Sequence, residues 1–217
     1  MILNEINCEN GVKLVQFENG PMGNLQYAII DLISQSMAVV DPAWNTDTFF
    51  SLSEKFEVSI DQIWVTHGHF DHVNQLDQLC QELKNKPEIY LSTNPLIVPK
   101  SSSCNYLNDG DQFRFGPIDI RTIYTPGHSP DSICFHFGNH LVCGDVLFIN
   151  AIGRTDLPKS DPTAMTKSLH RLSLLDENTQ IYPGHNYGPK LVDSIKNQLT
   201  TNPFLKRASS GYSGKSS

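Results

Sequence analysis

Residues 65–73 read VTHGHFDHV, which places three histidines and an aspartate between positions 67 and 72 of a chain that has only eight histidines. A lone histidine is more often a satisfied core or surface residue than a ligand. His67, His69, Asp71 and His72 together are better read as metal ligands, because imidazole and carboxylate groups are the usual partners of zinc and non-haem iron. The residues before the cluster, DQIWVT (61–66), have the β-branched and aromatic character of a strand. In a loop leaving a strand, side chains one or two positions apart point in different directions. His67 and His69 can therefore serve one ion while Asp71 and His72 turn towards a second.

Working outward, apolar runs and turn residues alternate. Segments 11–17, 24–32, 37–42 and 87–92 read as strands, and so do 112–115, 118–125, 132–137, 140–145 and 180–183. Helical spacing of apolar residues appears at 46–57, 72–83, 161–174 and 189–200. This order predicts an α/β protein, a four-layer αββα sandwich, as a single domain over 1–207. The small polar residues of 208–217 predict a disordered tail. In such an arrangement the loops after Thr66, Thr125, Gly144 and Tyr182 can meet at one sheet edge.

Those loops supply the missing ligands. His128 in TPGHSPDS, Asp145 in VCGDVLF and His185 in YPGHNYG each follow a strand beside a glycine. A carboxylate such as Asp145 has two oxygens and can bridge two cations, which an imidazole cannot. His136, His140 and His170 lack such a setting and read as structural or surface residues.

The bulk composition narrows the class. No apolar run approaches the roughly 18 residues of a membrane helix, and the N-terminus MILNEINCENG has no basic n-region. A net charge of −7 argues against a nucleic-acid partner. The cysteines at 8, 80, 104, 134 and 143 are odd in number and form no C-x-x-C, so core roles in a reducing cytoplasm are expected.

The motifs HGHFDH, TPGHSPDS, CGDVLF and YPGHNYG, in this order, resemble the metallo-β-lactamase superfamily over roughly residues 12–205. GRTDLP (153–158) and TNPFL (201–205) are similar to its glyoxalase II (hydroxyacylglutathione hydrolase) and persulfide dioxygenase branch. The resemblance implies the αββα fold and two zinc ions per chain, with iron as the other option. His67, His69 and His128 match the first metal position, Asp71, His72 and His185 the second, and Asp145 the bridge.

It also implies a thioester hydrolase working through a metal-bridged hydroxide, with Asp71 as catalytic residue orienting the nucleophile. A thiolate leaves with little protonation, which suits a thioester better than an amide. Arg154, Thr155 and Tyr187 match positions near the substrate, although Arg154 has Asp156 as a competing partner. Three features depart from glyoxalase II. Little chain follows His185, Val73-Asn74-Gln75 replaces a glycine pair, and VVDPAWNTD (39–47) is similar to metallohydrolases of polyketide clusters. The expected partner is thus a small-molecule thioester, either a glutathione conjugate or an acyl group on a carrier protein, with no membrane. Two rivals are a persulfide dioxygenase, with one iron on His67, His128 and Asp145, and a non-catalytic binding module.

Overall fold

The computed structural model describes residues 2–100 and 103–211. Seven strands form the first sheet: β1 (Ile2–Asn7), β2 (Val12–Asn19), β3 (Asn24–Asp31), β4 (Ser36–Val40), β5 (Ser59–Trp64), β6 (Glu88–Ser92) and β7 (Cys104–Leu107). They lie in chain order, antiparallel from β1 to β4 and parallel from β4 to β7. The helices α1 (Asp47–Phe56), α2 (Phe70–Val73) and α3 (Leu76–Glu82) fill the crossovers.

The second half adds β8 (Gln112–Phe115), β9 (Ile118–Tyr124), β10 (Ile133–Phe137), β11 (His140–Gly144), and the ribbon β12 (Leu147–Phe148) and β13 (Ala151–Ile152). After them come α4 (Pro162–Leu172), β14 (Gln180–Pro183), β15 (Asp193–Ser194), α5 (Ile195–Thr201) and α6 (Pro203–Gly211). Its main sheet runs β15-β14-β11-β10-β9-β8. Pro162 opens α4 behind an Asp161 cap whose carboxylate accepts from the N–H groups of Thr163 and Ala164.

Strand periodicity sorts the side chains into three apolar layers. Val12, Leu14, Tyr27, Ile29, Ala38, Val40 and Trp64 face Ile120, Phe135, Phe137 and Val142 between the sheets. The alternate residues Val15, Phe17, Ala28, Ile30, Met37 and Val39 pack outward on Phe49, Leu52, Leu76 and Leu79 of α1 and α3. On the far side Cys134, Leu141, Cys143 and Ile181 pack on Met165, Leu169, Ile195 and Leu205 of α4 to α6. Three apolar interfaces make four layers, αββα. Strands buried on both faces also explain why the sequence shows continuous apolar runs rather than alternation.

Several expected boundaries shift. The helix expected over 72–83 is two helices, because the Gln75 N–H leaves the helical ladder for the Pro42 carbonyl (3.2 Å), while the Asn74 side chain accepts the Trp44 N–H. The helix expected over 189–200 starts only at Ile195, after the short pairing of Asp193 and Ser194 with β14. TNPFL enters α6, and the tail expected from 208 overlaps that helix as far as Gly211; residues 212–217 lie outside the described residues. Strands β1 and β7, at the edges of the first sheet, have no counterpart in the sequence reading. None of the five cysteines is in a disulfide, and Cys134 and Cys143 are buried. Among the described residues no helix is long and apolar enough to cross a membrane.

Candidate metal centre

The strand-end loops do meet. Ligand atoms of His67, His69 and His128 lie within 4.8 Å of one another, and so do those of Asp71, His72 and His185. Asp145 joins the two sets. Its Oδ1 is 3.3 Å from His72 Nε2, while its Oδ2 is 3.5 Å from His128 Nε2 and 3.2 Å from His185 Nε2. Asp71 Oδ2 stands 3.3 Å from His185 Nε2 and 3.7 Å from His72 Nε2. Gly184 makes room for this convergence, since a Cβ there would overlap Asp145 and His72.

The rear nitrogens of the rings fix their tautomers. His72 Nδ1 donates to Asp41 Oδ2 (3.0 Å), His128 Nδ1 to the Arg154 carbonyl (2.9 Å), and His185 Nδ1 to the Met22 carbonyl (3.0 Å). A carbonyl oxygen only accepts, so in a neutral ring the proton sits on Nδ1 and Nε2 carries a lone pair. Three Nε2 lone pairs then face carboxylate oxygens that also only accept. His69 Nδ1 and His128 Nε2 confront each other at 2.8 Å. His67 Nε2 and Asp145 Oδ1 are buried without a hydrogen-bond partner. Such a set of inward lone pairs and anions fits cations, and the two clusters sharing Asp145 fit a dinuclear site.

Electrostatics of the protein alone carry the same message. Burial pushes the Asp145 carboxyl up, yet His72 and His185 overcome it and hold Asp145 well below the usual range. Asp71, opposed by burial, is drawn down to about 2 by His185, His72 and Asn24. His185 is raised to about 9 against its burial by Asp145 and Asp71, and His72 is raised well above its ordinary value by Asp145 and Asp41. His67 and His69 go the other way, lowered by burial and by neighbouring imidazoles.

Two supporting carboxylates escaped the sequence reading. Asp41, just after β4, accepts from His72, from the Thr66 N–H (2.8 Å) and from Thr66 Oγ1 (2.6 Å). Asp131 in TPGHSPDS accepts from the Gly68 N–H (2.9 Å), the Leu96 N–H (2.8 Å) and Ser129 Oγ (2.6 Å), and so pins the turn between His67 and His69. An acid at a strand end before proline (VVDP) was the available signal for Asp41.

The expected substrate contacts separate. Tyr187 stacks on the His185 ring, with centroids 4.6 Å apart and planes 13° apart, and is 57% exposed at the rim. The Arg154 guanidinium is exposed and forms a two-pronged pair with Asp156 (2.9 and 3.0 Å), while its carbonyl serves His128. Thr155 lines a cleft of about 300 Å³ with Ile152, Met165, Leu169, Phe204 and Arg207.

The model of the metallo-beta-lactamase superfamily matches residues 33–185. The chain belongs to this superfamily. It is similar to a probable polyketide biosynthesis zinc-dependent hydrolase of Bacillus velezensis, 30% identical over 84% of this chain and 82% of that protein. It is also similar to a hydroxyacylglutathione hydrolase of Psychromonas ingrahamii, 32% identical over 82% of this chain and 66% of that protein. The crystal structure of ETHE1 from Myxococcus xanthus superposes with a TM-score of 0.80 at 26% identity, covering 91% of this chain and 84% of that one.

Proposed function

We propose that this member of the superfamily hydrolyses a thioester, with two metal ions, mainly zinc, held by the donor sets that share Asp145. The observation that carries the reading is the completeness of both sets: His67, His69 and His128 on one side, Asp71, His72 and His185 on the other. Ions bound there supply Lewis-acid polarisation of a carbonyl and a water acidified to near neutral pH. The chain's own residues do the rest. Asp41, Met22 and Arg154 hold His72, His185 and His128 with Nε2 inward. Asp71 stays ionised through the working pH range, which suits a ligand that orients the attacking group. No serine or cysteine nucleophile is required, and the thiolate leaving group needs no dedicated acid.

The thioester lies between two classes, a hydroxyacylglutathione and an acyl group on a carrier. Arg154, the cation expected to meet glutathione, points to Asp156 at the surface, which supports the carrier-bound acyl group. Tyr187 offers a flat aromatic face beside the ligand His185 to either one. The single-iron dioxygenase reading would use His67, His128 and Asp145 and leave Asp71, His72 and His185 without a task.

The test compares thiol release from a hydroxyacylglutathione and from an acylated carrier with oxygen uptake on glutathione persulfide. Thiol release without oxygen uptake is expected. Oxygen-dependent turnover of the persulfide with neither thioester cleaved would overturn the hydrolase reading.

A further inference from the structure

Asp71 is not held by the histidines alone. Asn24, the first residue of β3, is buried and donates Nδ2 to Asp71 Oδ2 and to the Asp71 carbonyl, both at 3.0 Å. Its Oδ1 accepts the indole N–H of Trp44 at 2.8 Å. An indole N–H only donates and an ionised carboxylate only accepts, so the Asn24 amide has one orientation that satisfies both. The backbone of Asn24 bridges to His185, and the Leu25 N–H donates to the Gly184 carbonyl. Asn24 thus touches two members of the second donor set, one through its side chain and one through its main chain.

Trp44 is itself built in. It takes a left-handed backbone (φ 64°), and its N–H donates to Asn74 Oδ1 at 2.7 Å. Its indole fills the space over Gly20, where a Cβ would overlap the ring. Phe70, inside HGHFDH, meets that ring edge-on with centroids 6.0 Å apart. Asn74, in place of a glycine, and Trp44, in VVDPAWN, are therefore two parts of one arrangement.

We propose that Trp44 and Asn24 are positioning residues for the second metal position: they lock the Asp71 carboxylate so that Oδ2 faces His72 and His185. The inference rests on the two-ion reading of the centre. Polar partners of ligating carboxylates cost about 10–100-fold in metal affinity when removed. The loss here falls on one ion of the two, since the side-chain hydrogen bonds of Asn24 and the ring contact of Trp44 run to Asp71, to each other and to Phe70, and none runs to His67, His69 or His128.

The experiment is zinc titration of the metal-free full chain against a competing chromophoric chelator, for wild type, Trp44→Phe and Asn24→Leu. Trp44→Phe keeps the aromatic packing and removes the donor. Asn24→Leu is close in volume and removes all three side-chain hydrogen bonds. We expect one of the two zinc affinities to fall about tenfold in Trp44→Phe and more in Asn24→Leu, with the other unchanged. Melting temperatures of the metal-free forms give the readout that a merely structural role would move. Equal weakening of both ions, or two unchanged affinities, overturns the proposal by itself. A wild type that takes up fewer than two zinc ions overturns it together with the two-ion reading.

Discussion

His72 Nδ1 and Asp41 Oδ2 are joined by a 3.0 Å hydrogen bond that ties α2 to the end of β4. Both groups are buried, and Asp41 also holds Thr66, the residue before His67. One carboxylate thus braces the start of the ligand loop and aims a ring within it. Replacing Asp41 by asparagine keeps a side chain that tolerates the left-handed backbone (φ 52°) but turns one of its two acceptor oxygens into an NH2 donor, so it can no longer accept from both the Thr66 N–H and His72. Asp41→Asn is expected to lose about 10–100-fold in zinc affinity or thioester turnover. Full retention of both, in a folded variant, refutes the bracing role.

Asp145 places its carboxylate oxygens within 3.5 Å of rings from both donor sets. Asp145→Ala removes the anion between the proposed cations and leaves the imidazoles of His72, His128 and His185 facing one another. Turnover is expected to vanish and metal content to fall, while the circular dichroism spectrum stays that of the folded chain. An Asp145→Ala protein that still cleaves its thioester at the wild-type rate contradicts the assignment.

The pH dependence of the metal-free chain has a definite sign. His185 is raised from 6.5 to about 9, so its stabilising contribution is fully present below pH 6.5 and is lost as pH rises through 9. Asp71 is lowered from 3.8 to about 2, so its contribution is present above pH 3.8 and is lost as pH falls through 2. The metal-free melting temperature should therefore fall between pH 6.5 and 9. Metal binding needs the neutral rings and displaces those protons, so zinc affinity should climb over the same window. Calorimetry in buffers of different ionisation enthalpy would show proton release near pH 7; zinc binding with no proton released there goes against the picture.

Arg154 yields a smaller effect than its place in GRTD suggested. Its guanidinium and Asp156 are about equally exposed, and surface pairs of this kind contribute little. Arg154→Ala should change kcat/KM on an anionic and on a neutral thioester by the same small factor. A loss confined to the anionic substrate would show that Arg154 leaves Asp156 to bind it.

The sequence was most legible where chemistry and periodicity coincide. HGHFDH, TPGHSPDS, VCGDVLF and YPGHNYG each sit at a strand end, so their order alone located the residues that the fold brings together. What stayed hidden depends on contacts between distant segments. Asp41 lies 31 positions from His72, and Asn24 lies 47 positions from Asp71; Asp41 has only its place at a strand end before proline as a local signal, and Asn24 has none. The break between α2 and α3 was masked because Val73, Leu76 and Leu79 keep helical spacing across it. The helix stops where the Gln75 N–H turns to the Pro42 carbonyl, 33 positions away in the chain. Edge strands β1 and β7 were missed because burial on one side only gives them mixed, weakly patterned residues.

The proposed enzyme is a thioester hydrolase that works with two metal ions. The most direct measurement is thiol release as zinc is added stepwise to the metal-free chain, with its thioester substrate in excess. The rate is expected to rise and level off only when two equivalents have been bound. No thiol release at any zinc load, with oxygen-dependent turnover of a persulfide appearing at one equivalent of iron, would contradict the hydrolase reading.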